Sequence, residues 1–166
     1  MAVKWTTKKD LLPQIESNLK ALRRQKVKVG ALRGDHAWLA GIHEYGVDIE
    51  VTPKMRAFLH YNGLHLKDST THIKIPERSF LRTGHDENVD RVLEQTSRAL
   101  SQVIAGKMDI DTMLDLYGEQ MATAIKTYMR DLSNPPNHPY TTEQKGSSNP
   151  LIDSGALLES IIWEKK

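Results

Sequence analysis

The sequence predicts an α+β fold: a small antiparallel sheet with a β-hairpin, packed against two long helices and an N-terminal helix. Three observations carry this expectation. Residues 86–105 and 109–132 repeat apolar side chains at helical spacing. Two short stretches flank Asn62-Gly63, a dipeptide suited to a hairpin turn. With 166 residues, 39 % of them hydrophobic, the chain suits one domain, 1–166, better than two.

The first helix is expected over residues 10–25. Asp10 caps it, Pro13 falls in the first turn, and Leu11, Leu12, Ile15, Leu19 and Leu22 form an apolar stripe. Lys26-Val27-Lys28-Val29 alternates polar and apolar and reads as a strand ending near Gly30. A short helix over 36–45 buries Trp38, Leu39, Ile42 and Tyr45 and stops at Gly46. Residues 49–61 and 64–75 form the hairpin arms, with regular pairing starting after Pro53.

Of the two long helices, the first runs from an Asp86 cap to Gly106, with Val89, Val92, Leu93, Leu100, Val103 and Ile104 on one face. The second carries Ile110, Met113, Leu114, Tyr117, Met121, Ile125, Tyr128 and Leu132. Gly118 lies on that face, where a missing side chain permits a close backbone approach. Residues 133–150 hold four of the seven prolines and read as a long extended loop. Beyond it, Ser154 caps a short turn and the chain end returns as a strand.

Composition narrows the chemistry. With no cysteine, disulfide frameworks, zinc ribbons, iron–sulfur clusters and thiol nucleophiles are excluded. No apolar stretch approaches the roughly 20 residues that span a bilayer, and Met-Ala-Val-Lys-Trp at the start is unlike a secretory signal. His43-Glu44 opens like a zinc-protease helix, but position 47 is Val, so the second histidine is missing. His60, His65 and His72 would approach one another across the hairpin without any spacing that demands a metal. No Gly-x-Ser-x-Gly elbow or phosphate-binding glycine loop occurs, and Ser154 has no identifiable base. The carboxylate pairs Asp86/Glu87 and Asp109/Asp111 sit at helix starts, where the helix dipole accounts for them. The expectation is a non-enzyme that needs no cofactor and no metal.

Charge is unevenly distributed. Eight basic and two acidic residues make 1–30 +6, leaving −4 for the rest of a +2 chain. Such polarity suits head-to-tail stacking of copies or one face set against phosphates. A basic nucleic-acid-binding module using residues 4–28 is therefore an alternative, although aromatic platforms for base stacking are nearly absent there.

Three segments carry a family resemblance: His43-Glu44-Tyr45-Gly46; Ile75-Pro76-Glu77-Arg78-Ser79-Phe80-Leu81-Arg82; and Pro150-Leu151-Ile152-Asp153-Ser154-Gly155 with Leu157 and Ser160-Ile161. In kind and order they resemble the virion-morphogenesis, tail-completion and neck proteins of tailed bacteriophages, from about residue 36 to the end. The resemblance implies a small α+β subunit of a homo-oligomeric ring, of six or twelve copies, where head meets tail. It would be assembled in the host cytoplasm. Its neighbours would be neck or connector and tail-terminator or tail-tube proteins, with genomic DNA in the lumen and no membrane. No catalytic residues come with the family.

The expected interface residues are Arg78, Phe80, Leu81, Arg82, His138, Tyr140, Leu151 and Asp153. Phe80 and Leu81 anchor the connector while the arginines meet an acidic neighbour. Lys20, Arg23 and Arg24 are the expected DNA contacts in the lumen.

Overall fold

In the computed structural model, which describes residues 12–166, the chain is a mixed α and β fold with two separate antiparallel strand pairs. The expected Asp10 cap and Leu11 lie outside the described residues. Helix α1 (Leu12–Leu22) leads into strand β1 (Val27–Ala31), as the alternation of Lys and Val requires. Helix α2 (Gly34–Tyr45) follows and ends at Gly46, with φ +68°.

The hairpin expectation fails in an instructive way. Strand β2 (Val47–Glu50) and strand β3 (His72–Ile75) do pair antiparallel, in the register Val47 with Ile75 and Glu50 with His72. Between them, however, residues Pro53–Tyr61 form helix α3 rather than a strand arm. Thr52 accepts the Met55 N–H at 3.2 Å and Pro53 occupies the first turn, where a missing N–H costs nothing. Asn62-Gly63 then ends the helix: the Asn62 N–H returns to Phe58 O, and Gly63 takes φ +88°. The residue that weakened the strand reading was a helix-start signal.

After β3 come helix α4 (Phe80–Asp86), helix α5 (Val89–Ile104) and helix α6 (Ile110–Asp131). The first expected long helix is α5, starting three residues later than expected, because an additional helix, α4, forms in the connector before it. Asp86 closes α4 beside His85 instead of capping α5, and Asn88 bridges the break by donating to Gly84 O at 2.9 Å. The expected cap of the second long helix is present, with Asp109 accepting the Thr112 N–H at 2.7 Å. Residues 133–150 are not wholly extended, because helix α7 (Pro139–Lys145) forms within them. The short helix α8 (Ala156–Glu159) precedes strand β4 (Ile161–Lys165), which pairs antiparallel with β1.

Helix α6 is the hub. It packs on α4, α5, β1 and β4, and Met121, Ile125 and Met129 along it are almost wholly buried. With Phe80, Val92, Leu151, Leu157, Leu158 and Ile161 they make the main core. Each such side chain stabilises the fold by about 1.5–3 kcal/mol, whereas an exposed pair such as Lys126–Glu159 contributes about 0–1. Packing on α6 therefore decides the architecture. A second cluster of Ala99, Val103, Met113 and Leu114 receives Leu22, and so fixes α1 to α5.

Candidate functional site

The three motif segments meet at the end of α2. Gly46 makes this possible: a Cβ there would stand 2.8 Å from Ile75 O, so only glycine lets the chain pass the stretch leading into α4. The Arg78 N–H donates to His43 O at 2.7 Å, joining the first two segments through the main chain.

Glu44, whose carboxylate gathers four hydrogen bonds, is 3 % exposed. Its carboxylate accepts the Leu81 N–H (2.8 Å), the Arg82 N–H (3.0 Å), the Ser79 hydroxyl (2.8 Å) and the Arg82 Nε (2.9 Å). It thereby caps α4 from outside that helix, satisfying N–H groups that the helix itself leaves unpaired. Burial alone would raise its pKa, but these donors hold the carboxyl below its usual range. Arg82 also pairs with Glu77 at 2.6 Å and lies 5.0 Å from the centre of the Tyr45 ring.

Arg78 performs the second junction. Its guanidinium donates to Pro135 O (2.8 Å), Pro136 O (3.0 Å) and Asn137 Oδ1 (3.1 Å), and the residue is 4 % exposed. The planar five-donor fork of arginine suits this gathering of carbonyls. Asn149 performs the third. It donates to Arg130 O and Leu132 O at the end of α6 and accepts the Leu151 and Ile152 N–H groups, each at 2.9 Å. Lys145 adds donation to Asn149 O and Pro150 O.

Between these junctions lies a cleft of about 330 Å³ that holds His36, His43, Asn137, Lys145, Asp153 and Ser154. His43 Nδ1 is buried without a hydrogen-bond partner. Burial, then the Arg78 and Lys145 charges, push its pKa from the ordinary 6.5 down to about 4, so the ring is neutral at pH 7. Ser154 Oγ accepts the Ala156 N–H, and no hydrogen bond links it to His43 or Asp153. The cleft therefore contains the residue types of a nucleophilic relay without its connections.

The expected interface residues separate into two groups. Arg78, Phe80 and Leu151 are buried and hold the fold, so they are closed to a partner. The expectation that Arg78 meets an acidic neighbour is corrected by its bonds to the Pro135 and Pro136 carbonyls. Arg82 is half exposed, but its acidic partners are Glu44 and Glu77 of its own chain. Leu81 and Tyr140 are partly covered, while His138 and Asp153 are exposed. Tyr140 donates to Asn62 O at 3.1 Å, and His138 caps α7 by accepting the Tyr140 N–H. Lys20, Arg23 and Arg24 are exposed near the end of α1.

Other expectations are corrected too. Trp38 and Tyr45 are 72 % and 69 % exposed, because α2 turns Ala40 and Glu44 inward instead. Phe58 and Tyr61 on α3 are exposed as well, and Leu93 on α5 is half exposed. His60 and His65 do meet, with Nδ1 atoms 2.7 Å apart, but across the end of α3; His72 turns to Thr71. Among the described residues no group of three or more His, Cys, Asp or Glu could hold a metal ion. The segment 137–155, expected to meet a partner, contains Asn137, Lys145 and Asn149 without singling them out; the Asn149-Pro150 dipeptide is the available signal, as a turn initiator.

Comparison with protein-family models, with curated proteins and with solved structures gave no match. Among the described residues no helix is long and apolar enough to cross a membrane.

Proposed function

We propose that this chain is a structural subunit of the head–tail junction of a tailed bacteriophage. It would complete the tail or neck as a homo-oligomeric ring, making and breaking no covalent bond. The observation that carries this reading is the convergence of the three motif segments. Glu44, Arg78, Arg82 and Asn149 are all spent on bonds between segments, which is what a rigid assembly part requires. Exposed Trp38, Tyr45, Phe58 and Tyr61 add support, since aromatic side chains are enriched where proteins meet. Polar charge distribution fits subunits that contact one another through two different faces, the arrangement that closes into rings.

The deciding experiment removes the gene from the phage that carries it. Filled heads and unattached tails should accumulate, and purified protein added to them should restore joined particles. Normal particle yield without the gene, or density for the chain elsewhere than between capsid vertex and tail tube, would overturn the reading.

A further inference from the structure

Among the described residues two strand edges are open, and they complement each other. Lys26 and Lys166 exchange both main-chain hydrogen bonds, at 3.0 and 2.8 Å, which fixes the parity of the β1–β4 pair. Lys28 therefore faces β4, and the N–H and C=O groups of Val27 and Val29 point to the outer edge. In the other pair Val51 donates to Thr71 O at 2.8 Å, so Val47 and Ile49 face β3 while Asp48 and Glu50 point outward. No other partner for these outward groups occurs among the described residues.

The side chains match as well. Lys26 and Lys28 are exposed, with no acidic partner among the described residues. Glu50 likewise has no basic partner there, and Asp48 has only exposed Lys74 at 3.8 Å. The segment β2–α3–β3 makes few contacts with other elements, so it stands as an arm. Beside β1, clefts of about 720 and 350 Å³ meet at Val27 and Tyr117, lined by Leu22, Leu93, Leu100 and Leu81.

We infer that the β2 edge of one copy pairs in parallel with the β1 edge of the next, Lys26 opposite Asp48 and Lys28 opposite Glu50. Parity selects the parallel direction. An antiparallel pair would set outward-facing residues directly opposite, placing Val27 and Val29 on one face with Asp48 and Glu50. In the parallel pair Val27 bonds to Asp48 and Glu50 while lying opposite Ile49, so charges meet on one face and Val27, Val29, Ile49 and Val51 on the other. Val47, Ile49 and Val51 then extend the apolar layer over the clefts. The joint uses two different edges of identical chains, so it repeats head-to-tail, the kind of contact that makes a ring where the rotation between copies closes. It rests on the ring reading above and specifies how neighbouring copies are held.

The chain's lack of cysteine makes the test direct. Purified Lys28→Cys/Glu50→Cys protein, bridged with a short bis-maleimide, should give a covalent ladder of multimers; Lys28→Cys/Lys74→Cys should not. Lys26→Glu/Lys28→Glu and Asp48→Lys/Glu50→Lys proteins should each be monomeric by light scattering, and an equal mixture should recover the wild-type oligomer. That recovery cannot come from a folding defect, because each variant stays as it was. Wild-type oligomers without the ladder, or without recovery on mixing, would overturn the edge joint and leave the ring reading standing. A wild-type chain that is monomeric both in concentrated solution and at the head–tail junction would overturn both.

Discussion

The indole of Trp163 on β4 lies against Gly118 on α6, so closely that a Cβ at position 118 would stand 2.6 Å from the ring. The indole N–H donates to Glu119 Oε2 at 3.1 Å, which fixes the ring in that place. The last strand is thus seated on the central helix by one missing side chain.

Gly118→Ala should therefore destabilise the protein, although alanine is the better helix former by about 1 kcal/mol. Overpacking of this kind costs about 1–3 kcal/mol, enough to outweigh that gain. In a double-mutant cycle read by denaturant unfolding, Trp163→Leu should remove most of the penalty. Equal penalties in both backgrounds would show that the ring is not the obstacle.

Much of the architecture was legible because it depends on period and parity. The stripe of α6, the Lys-Val alternation of β1 and the small residue at 118 all follow from local spacing. Where two local rules competed, the sequence was silent on the winner. Pro53 weakens a strand and starts a helix, and Asn62-Gly63 serves a hairpin and a helix end equally. Thr52, able to accept the Met55 N–H, tips the choice, and β2 finds β3 across α3. The motif cluster was legible as segments but not as bonds, because the partners of Glu44 and Arg78 lie up to 59 residues away.

Glu44→Gln should cost more than Arg82→Ala. Removing the charge from a side chain 3 % exposed leaves the donors of Leu81, Arg82 and Ser79 facing a poorer acceptor. Each buried donor left without a good acceptor costs about 1–3 kcal/mol, and three are affected. Arg82 is half exposed, and its loss leaves Glu44 with three other donors, so it should cost less. Chemical denaturation of both variants checks the order. The reversal Arg78→Glu with Arg82→Glu should fail to fold.

Asn149→Ala should loosen residues 133–153 without unfolding the core. Its side chain bonds both the end of α6 and the turn at Leu151, with donors and acceptors both satisfied. Losing it leaves the Leu151 and Ile152 N–H groups unpaired, at about 1–3 kcal/mol. Hydrogen exchange should accelerate in 133–153 and stay unchanged in the α6 core around Met121 and Ile125. Uniform acceleration would mean that the segment unfolds only with the whole molecule.

If DNA runs through the lumen of the proposed ring, Arg23→Glu with Arg24→Glu should weaken DNA binding without changing stability, since both side chains are exposed. The attraction would be to phosphates, so wild-type affinity for duplex DNA should be independent of sequence and fall steeply with salt. Losing two contacts should reduce the slope of log affinity against log salt by about 2. Equal slopes would remove these arginines from any role at a DNA-bearing lumen.

His43 should make stability depend on pH between about 4 and 6.5. Its pKa is lowered to about 4 in the folded chain, by burial first and then by the charges of Arg78 and Lys145. Between those two values the unfolded chain carries a proton on this ring that the folded chain refuses. Stability therefore rises with pH across the window and is lost as pH falls toward 4. Glu44 acts in the same direction lower down, because its depressed pKa adds stability that is lost as its carboxylate protonates. Comparing wild type with His43→Gln separates the two. The difference between their melting temperatures should change between pH 7 and pH 4.5, as wild type loses the histidine contribution and the variant does not. A constant difference would mean that the ring titrates normally in the fold, and that the cleft admits water to it.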